Sequence, residues 1–202
     1  MTTIGAIVLC GGQSRRMGRP KAWLEFGPEK MLQRVVRLVG TVAERVTVVA
    51  APHQPLPTIP ASVSIVCDRV EGRGPLAGLA AGFSALSGHV DLAYATATDV
   101  PYLQPRWITR LAELIGEHDL AIPFVDGFHH PLAALYRVSA VCAEVDRLLA
   151  LGRGPASLVD AVKTRIVTAE ELRGVDPTLA TLRNLNTPED YQRALCHFDF
   201  GR

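Results

Sequence analysis

Leu9-Cys10-Gly11-Gly12-Gln13-Ser14-Arg15-Arg16-Met17-Gly18-Arg19-Pro20-Lys21 follows directly on the apolar run Ile4 to Leu9, which reads as a buried strand. A strand that empties into a Gly- and Arg-rich loop ending in lysine is built to receive an anion. Two adjacent glycines let the backbone approach a ligand and adopt conformations barred to residues with a Cβ. Backbone N–H groups left free in such a loop point at oxyanions. Arg15, Arg16 and Lys21 add positive charge where phosphate oxygens would collect. Two better-known phosphate loops do not fit. A Walker A loop needs Ser or Thr after its lysine, and Gly11-Gly12 followed by Gly18 lacks the Gly-x-Gly-x-x-Gly spacing. The competing reading is a surface loop with solvated arginines.

Outward from this loop, short β-branched runs alternate with helix-like stretches, which predicts an α/β fold built on a doubly wound, mostly parallel sheet. The expected strands are Ile4–Leu9, Arg45–Ala50, Val63–Cys67, Leu92–Ala97 and Leu120–Phe124. Helical spacing marks Met31 to Val39, Leu76 to Leu86 and a helix starting near Pro105 that carries Trp107, Ile108, Leu111, Leu114 and Ile115. Later, Leu132 to Tyr136 reads as a strand, Ser139 to Leu149 as a helix, and another helix lies around Leu158 to Val162. Thr187-Pro188-Glu189-Asp190 is a helix start, with Thr as cap, Pro in the first turn and acids favoured by the macrodipole. Pro52 to Pro60 is too short for a domain linker. One domain over residues 1–202 is the economical expectation.

The chain has 202 residues, 48% of them apolar and 20% charged, enough for a sizeable core without disulfides or metal. A formal charge of +1 argues against a bulk basic field for nucleic acid or anionic membrane, so anion specificity must be local. Cys10, Cys67, Cys142 and Cys196 form no Cys-x-x-Cys pair, which makes a zinc site or disulfide framework unexpected. Cys10 and Cys67 end apolar runs and read as small buried residues. No leader-like or membrane-spanning stretch stands out, and a cytoplasmic location is expected.

The loop resembles the signature of the Rossmann-like nucleotidyltransferases, Leu-Ala-Gly-Gly-x-Ser-x-Arg-Met-Gly-x-x-Lys, with Cys10 in place of the usual Ala. Four further blocks match in order: Gly74-Pro75-Leu76-Ala77-Gly78, Thr98-Asp99-Val100-Pro101, His130-Pro131-Leu132 and Asn184-Leu185-Asn186-Thr187-Pro188-Glu189-Asp190. Together they most resemble the molybdenum cofactor guanylyltransferases, the molybdopterin-guanine dinucleotide biosynthesis protein A family. The resemblance implies a three-layer α/β/α nucleotidyltransferase fold, with a nucleotide-binding N-terminal half and an acceptor-binding C-terminal half.

What the resemblance implies for the site is specific. Asp99 would be the Mg²⁺ ligand, although by itself an Asp before Val100-Pro101 also reads as a turn residue. Lys21 and Arg15 would neutralise the triphosphate and the leaving pyrophosphate, with Asp99 completing the catalytic set. The backbone of Leu9, Cys10, Gly11 and Gly12 would read the base and cradle phosphate, and Gly11 favours GTP over CTP. Asp68 would contact base or ribose; its competing reading is a turn residue. Gly78 reads as close packing. Arg16 and Arg19 are weaker candidates. His130, Asn184 and Asn186 would fall on the pterin side, against a reading of the asparagines as mere turn formers. Gly152-Arg153-Gly154 reads better as a loop than as a phosphate contact. One departure stands out. After the second strand the family often places an Asn near the nucleotide, and Val48-Val49-Ala50-Ala51-Pro52 carries no amide side chain, so that hydrogen bond must be missing or supplied elsewhere.

The activity so implied is transfer of GMP from GTP to the terminal phosphate of molybdopterin, giving the guanine dinucleotide cofactor and pyrophosphate, with Mg²⁺ as cofactor. Partners would be GTP, the molybdopterin acceptor, and the cofactor-biosynthesis proteins and molybdoenzymes on either side of the step. The alternatives are a related enzyme using CTP or a sugar-phosphate acceptor, and a non-catalytic cofactor-binding protein.

Overall fold

The structure, a computed structural model, describes residues 2–11, 17–68 and 74–198. β1 (Ile4–Leu9) is buried along its centre, as an unbroken apolar run in a parallel sheet requires. A small hairpin, β2 (Glu25–Phe26) and β3 (Glu29–Lys30), then leads into α1 (Met31–Gly40). β4 (Arg45–Ala50), β5 (Ser64–Cys67), α2 (Pro75–Leu86) and β6 (Leu92–Ala97) follow, then α3 (Pro105–Ile115), β7 (Leu120–Val125), β8 (Phe128–His129) and β9 (Ala133–Arg137). The chain continues through α4 (Val138–Ala150), α5 (Leu158–Ala161), β10 (Thr164–Thr168), α6 (Ala169–Arg173) and α7 (Pro188–His197). No helix among the described residues is long and apolar enough to cross a membrane.

Among the described residues the main sheet runs β10-β7-β9-β6-β1-β4-β5, with β8 alongside β7. β1 is parallel to both neighbours, β4 and β6, and β4–β5 and β7–β10 are also parallel. β9 alone in that row runs antiparallel to the strands on either side of it. The chain lays β4 and β5 on one side of β1, then returns through α2 to place β6 on the other. That reversal makes the carboxyl ends of β1, β4 and β6 a topological switch point, the usual ligand position in such sheets.

Alternation along the strands builds two cores. Ala6 and Val8 face α1 and α3, with Val35, Val39, Trp107 and Leu111. Ile7 faces the opposite side, with Leu79, Phe83 and Val141 of α2 and α4. Trp107 Nε1 donates to the Ala133 carbonyl at 3.0 Å, so the buried indole leaves no polar atom unpaired.

α2 lies unusually close to β1, and its glycines are the reason. A Cβ on Gly82 would stand 2.5 Å from Ile7 Cγ2, and one on Gly78 would stand 3.0 Å from Leu9 Cδ2. Gly78 therefore serves close packing, as its sequence context suggests. Gly82→Ala is expected to lose about 1–2 kcal/mol, because overpacking against a fully buried Ile7 outweighs the roughly 1 kcal/mol that alanine gains in helix propensity. Thermal melting would show this as a fall of about 2–8 °C. Gly174→Ala, whose Cβ meets nothing within 4 Å, is the control and should not fall.

The observed boundaries of β1, β4 and β6 are those read from the sequence. Cys67 is a correction: it is exposed, because β5 is the edge strand and carries little cover. β10 and α6 escaped the sequence reading, since Thr164-Arg165-Ile166-Val167-Thr168 is a half-polar strand at the other edge. The β2–β3 hairpin, two residues per strand, is too short to carry periodicity.

Candidate functional site

The carboxyl end of β1 is pinned from both sides. Thr98 donates to the Leu9 carbonyl through its N–H at 3.0 Å and its hydroxyl at 2.9 Å. Cys10 N–H donates to the Val49 carbonyl at 2.8 Å, and Asp68 N–H to the Ala50 carbonyl at 2.9 Å. The ends of β1, β4, β5 and β6 are thereby fixed beside one another, and Gly11, Asp68 and Asp99 lie along this one edge. Gly12, Arg15 and Arg16 lie outside the described residues.

Asp99 is the most heavily engaged residue of the edge. It is buried, 8% exposed, immediately beyond β6. Its Oδ2 accepts from Lys21 Nζ at 2.6 Å, and its Oδ1 accepts from Asn184 Nδ2 at 2.9 Å. Its backbone carbonyl accepts from Leu185 N–H at 2.9 Å. Lys21 Nζ donates in addition to Asn186 Oδ1 at 2.9 Å. Residues from the first loop, the end of β6 and the approach to α7 thus meet at one point.

The sequence explains why the last segment arrives there. Thr187 caps α7 by accepting from Asp190 N–H, while Asp190 Oδ2 accepts from the N–H groups of Thr187 at 3.0 Å and Asn186 at 3.2 Å. The capping box so holds Asn186. Tyr191 and Ala194 of α7 then pack with Met17, Leu24, Phe26 and Leu185 into a third apolar cluster. Tyr191 also donates its hydroxyl to the Glu25 carbonyl, and the exposed Arg19 lies over its ring at 5.3 Å. The loop that carries Lys21 and the segment that carries Asn184 and Asn186 are one packed unit.

The Lys21 ammonium is a cation held between a carboxylate oxygen and an amide oxygen. These are hard donors of the kind that Mg²⁺ takes, usually one or two carboxylates with substrate phosphate and water completing the shell. The donor set fits such an ion. Among the described residues no group of three or more His, Cys, Asp or Glu side chains could hold a metal by itself.

Other candidates fall into place around this corner. Burial pushes the Cys10 thiol up, which keeps it protonated and unsuited to act as a nucleophile. His130 sits in the turn between β8 and β9, its imidazole lowered by burial and so neutral, and its Nε2 is buried without a hydrogen-bond partner. His129 instead packs its ring against Phe124 at 4.9 Å. Arg153 is exposed in the loop after α4, its N–H donating to the Leu148 carbonyl, consistent with the loop reading. One residue was missed altogether. Gln54, four residues past β4, donates from Nε2 to the Cys10 carbonyl at 3.0 Å and accepts from Ala51 N–H through Oε1 at 3.0 Å. The amide absent from the end of β4 is supplied here, to the protein backbone.

The chain is similar to known proteins over most of its length. A family model described as MobA-like NTP transferase domain matches residues 6–166. A protein of Mycobacterium tuberculosis named probable molybdenum cofactor guanylyltransferase is 40% identical over 174 residues, covering 83% of this chain and 85% of the relative. One of the same name from Mycobacterium avium is 37% identical over 194 residues, covering 93% and 92%. In fold, the chain is similar to the crystal structure of molybdopterin-guanine dinucleotide biosynthesis protein A from Archaeoglobus fulgidus, with a TM-score of 0.76 at 24% identity, covering 94% of this chain and 96% of that one. The chain belongs to the MobA-like NTP transferase domain family.

Proposed function

We propose that the chain transfers GMP from GTP to the terminal phosphate of molybdopterin and releases pyrophosphate. The observation that carries the reading is the meeting of Lys21, Asp99 and Asn186 at the point where the sheet reverses its winding. Names carried by relatives at 37–40% identity support the same activity. In this reading residues 1–202 act as one domain, in the cytoplasm, on small-molecule substrates without nucleic acid or membrane. The N-terminal half takes the nucleotide and the C-terminal half the acceptor. Other cofactor-biosynthesis proteins and molybdoenzymes would stand before and after the step.

The chemistry asks for alignment more than for a reactive side chain. An oxygen of the acceptor phosphate attacks the α-phosphorus in line, the bond to the β-phosphate bridging oxygen breaks, and pyrophosphate leaves with the electron pair. The acceptor phosphate is already ionised, so no general base is needed. Lys21 and Arg15 neutralise the charge that builds on the leaving group. Leu9, Cys10, Gly11 and Gly12 line the base and phosphates, and Asp68 contacts base or ribose. Asp99, with Asn186 beside it, would hold Mg²⁺. That ion, bound with the triphosphate, supplies Lewis-acid neutralisation of the same charge. Asn184 orients the Asp99 carboxylate through its bond to Oδ1.

Pyrophosphate release with molybdopterin as acceptor, measured for GTP, CTP and ATP in the presence of Mg²⁺, tests the reading. Turnover with GTP exceeding the other two by about tenfold or more is expected, since a matched base edge contributes roughly 1–3 kcal/mol. Equal or greater turnover with CTP, or nucleotide binding with no release, would overturn it.

A further inference from the structure

Ala51-Pro52-His53-Gln54 forms a tight turn closed by Gln54 N–H donating to the Ala51 carbonyl at 3.1 Å. His53 stands at φ 59, in the left-handed region that favours glycine or asparagine. Histidine enters that region more readily than most residues with a Cβ, so the turn forms at an exposed position. The turn folds the Gln54 side chain back over the end of β1, where it meets Ala51 N–H and the Cys10 carbonyl, each at 3.0 Å, and comes within 3.6 Å of Cys10 Sγ.

The backbone groups of the β1 lip can be counted off. The Leu9 carbonyl accepts twice from Thr98, and Cys10 N–H is spent on Val49. The Cys10 carbonyl is taken by Gln54. The Gly11 N–H, on an exposed residue, has no hydrogen-bond partner among the described residues. In a trans peptide it points opposite to the carbonyl that Gln54 holds. On the side away from Gln54 the Cys10–Gly11 peptide therefore presents its N–H donor, the carbonyl oxygen lying on the opposite side. Guanine presents a carbonyl oxygen to such a donor, whereas adenine and cytosine present an amino group at the equivalent place. Because Gly11 tolerates either peptide orientation, the hydrogen bond from Gln54 is what holds this one among the described residues.

We propose that Gln54 is a positioning residue for base selection: it pins the Cys10–Gly11 peptide so that the nucleotide site accepts 6-keto purines and rejects amino bases. This rests on the reading that the chain binds a nucleoside triphosphate at this edge.

The test is a calorimetric titration of the full chain with GTP, ITP, ATP and CTP, each with Mg²⁺, for wild type, Gln54→Ala and the isosteric Gln54→Glu. Glutamate can still accept from Ala51 N–H but places an oxygen against the Cys10 carbonyl. Both variants should weaken GTP and ITP together by about tenfold, the loss of one well-made hydrogen bond, while ATP and CTP hold or tighten. Melting temperatures should stay near wild type. Variants that keep the wild-type ratio of GTP to ATP, or that weaken all four nucleotides equally, would overturn the proposal alone. A wild-type chain that binds none of them would overturn the parent reading, and this one with it.

Discussion

Replacing Asp99 by alanine is expected to lower guanylyl transfer by about a thousandfold or more while the chain stays folded. The size follows from what is removed: a preorganised charge at the point where leaving-group charge develops, of the kind whose loss costs roughly 10²–10³ even for a single donor. Here both carboxylate oxygens and the backbone carbonyl of one residue organise three segments, so the effect should lie at or beyond the upper end. The fold should survive. The Leu185 bond goes to the Asp99 backbone and is retained, and Lys21 keeps Asn186. What remains is a lost, partly exposed pair, about 1–3 kcal/mol against a typical reserve of about 5–15. Asp99→Asn keeps the shape and removes only the charge, so it should fail nearly as badly. Pyrophosphate release at saturating GTP and Mg²⁺, beside a melting curve, decides the matter. A folded variant with a tenth of wild-type turnover would exclude Asp99 from the machinery.

Lys21→Met should lower turnover by about a hundredfold or more, again from lost neutralisation of the leaving pyrophosphate. Methionine approximates the length of the lysine stem without its charge. The same change should have an opposite effect on the metal. The ammonium sits 2.6 Å from Asp99 Oδ2, in the place where a divalent ion would be held. Removing it leaves Asp99 free of a competing cation, so Mn²⁺ titrated without nucleotide should bind several-fold tighter to Lys21→Met than to wild type. Loss of both turnover and metal affinity would instead mean that Lys21 holds the corner together structurally. Lys21→Arg is not a conservative control, because a planar fork cannot replace a point charge between two oxygens.

These two residues were legible in the sequence because their neighbours are so constrained. Asp99 follows an apolar strand and precedes Pro101, and Lys21 closes a Gly-rich loop that follows another strand. Strand ends in a parallel sheet gather at one edge, so placing the strands placed the residues. Asn186 was readable only in part: Thr187-Pro188-Glu189-Asp190 announces a helix start, but nothing local says that the same capping box aims Asn186 at Lys21. That aim depends on Tyr191 and Ala194 packing against Met17 and Leu24, a contact between opposite ends of the chain. Gln54 was invisible for a related reason. The end of β4 carries no amide, its replacement comes from beyond a Pro-His turn, and nothing local says that the Gln54 side chain reaches back to Cys10. The hidden strand β10 illustrates the limit for the fold: half-polar edge strands lack the continuous apolar run that exposed β1, β4 and β6.

The most direct measurement of the central claim is anomalous diffraction from crystals of the full chain grown with GTP and Mn²⁺. A manganese peak is expected in direct coordination with the Asp99 carboxylate, with the triphosphate between it and Lys21 Nζ. A well-ordered nucleotide away from the carboxyl edge of β1 and β6, or a manganese site that does not involve Asp99, would contradict it.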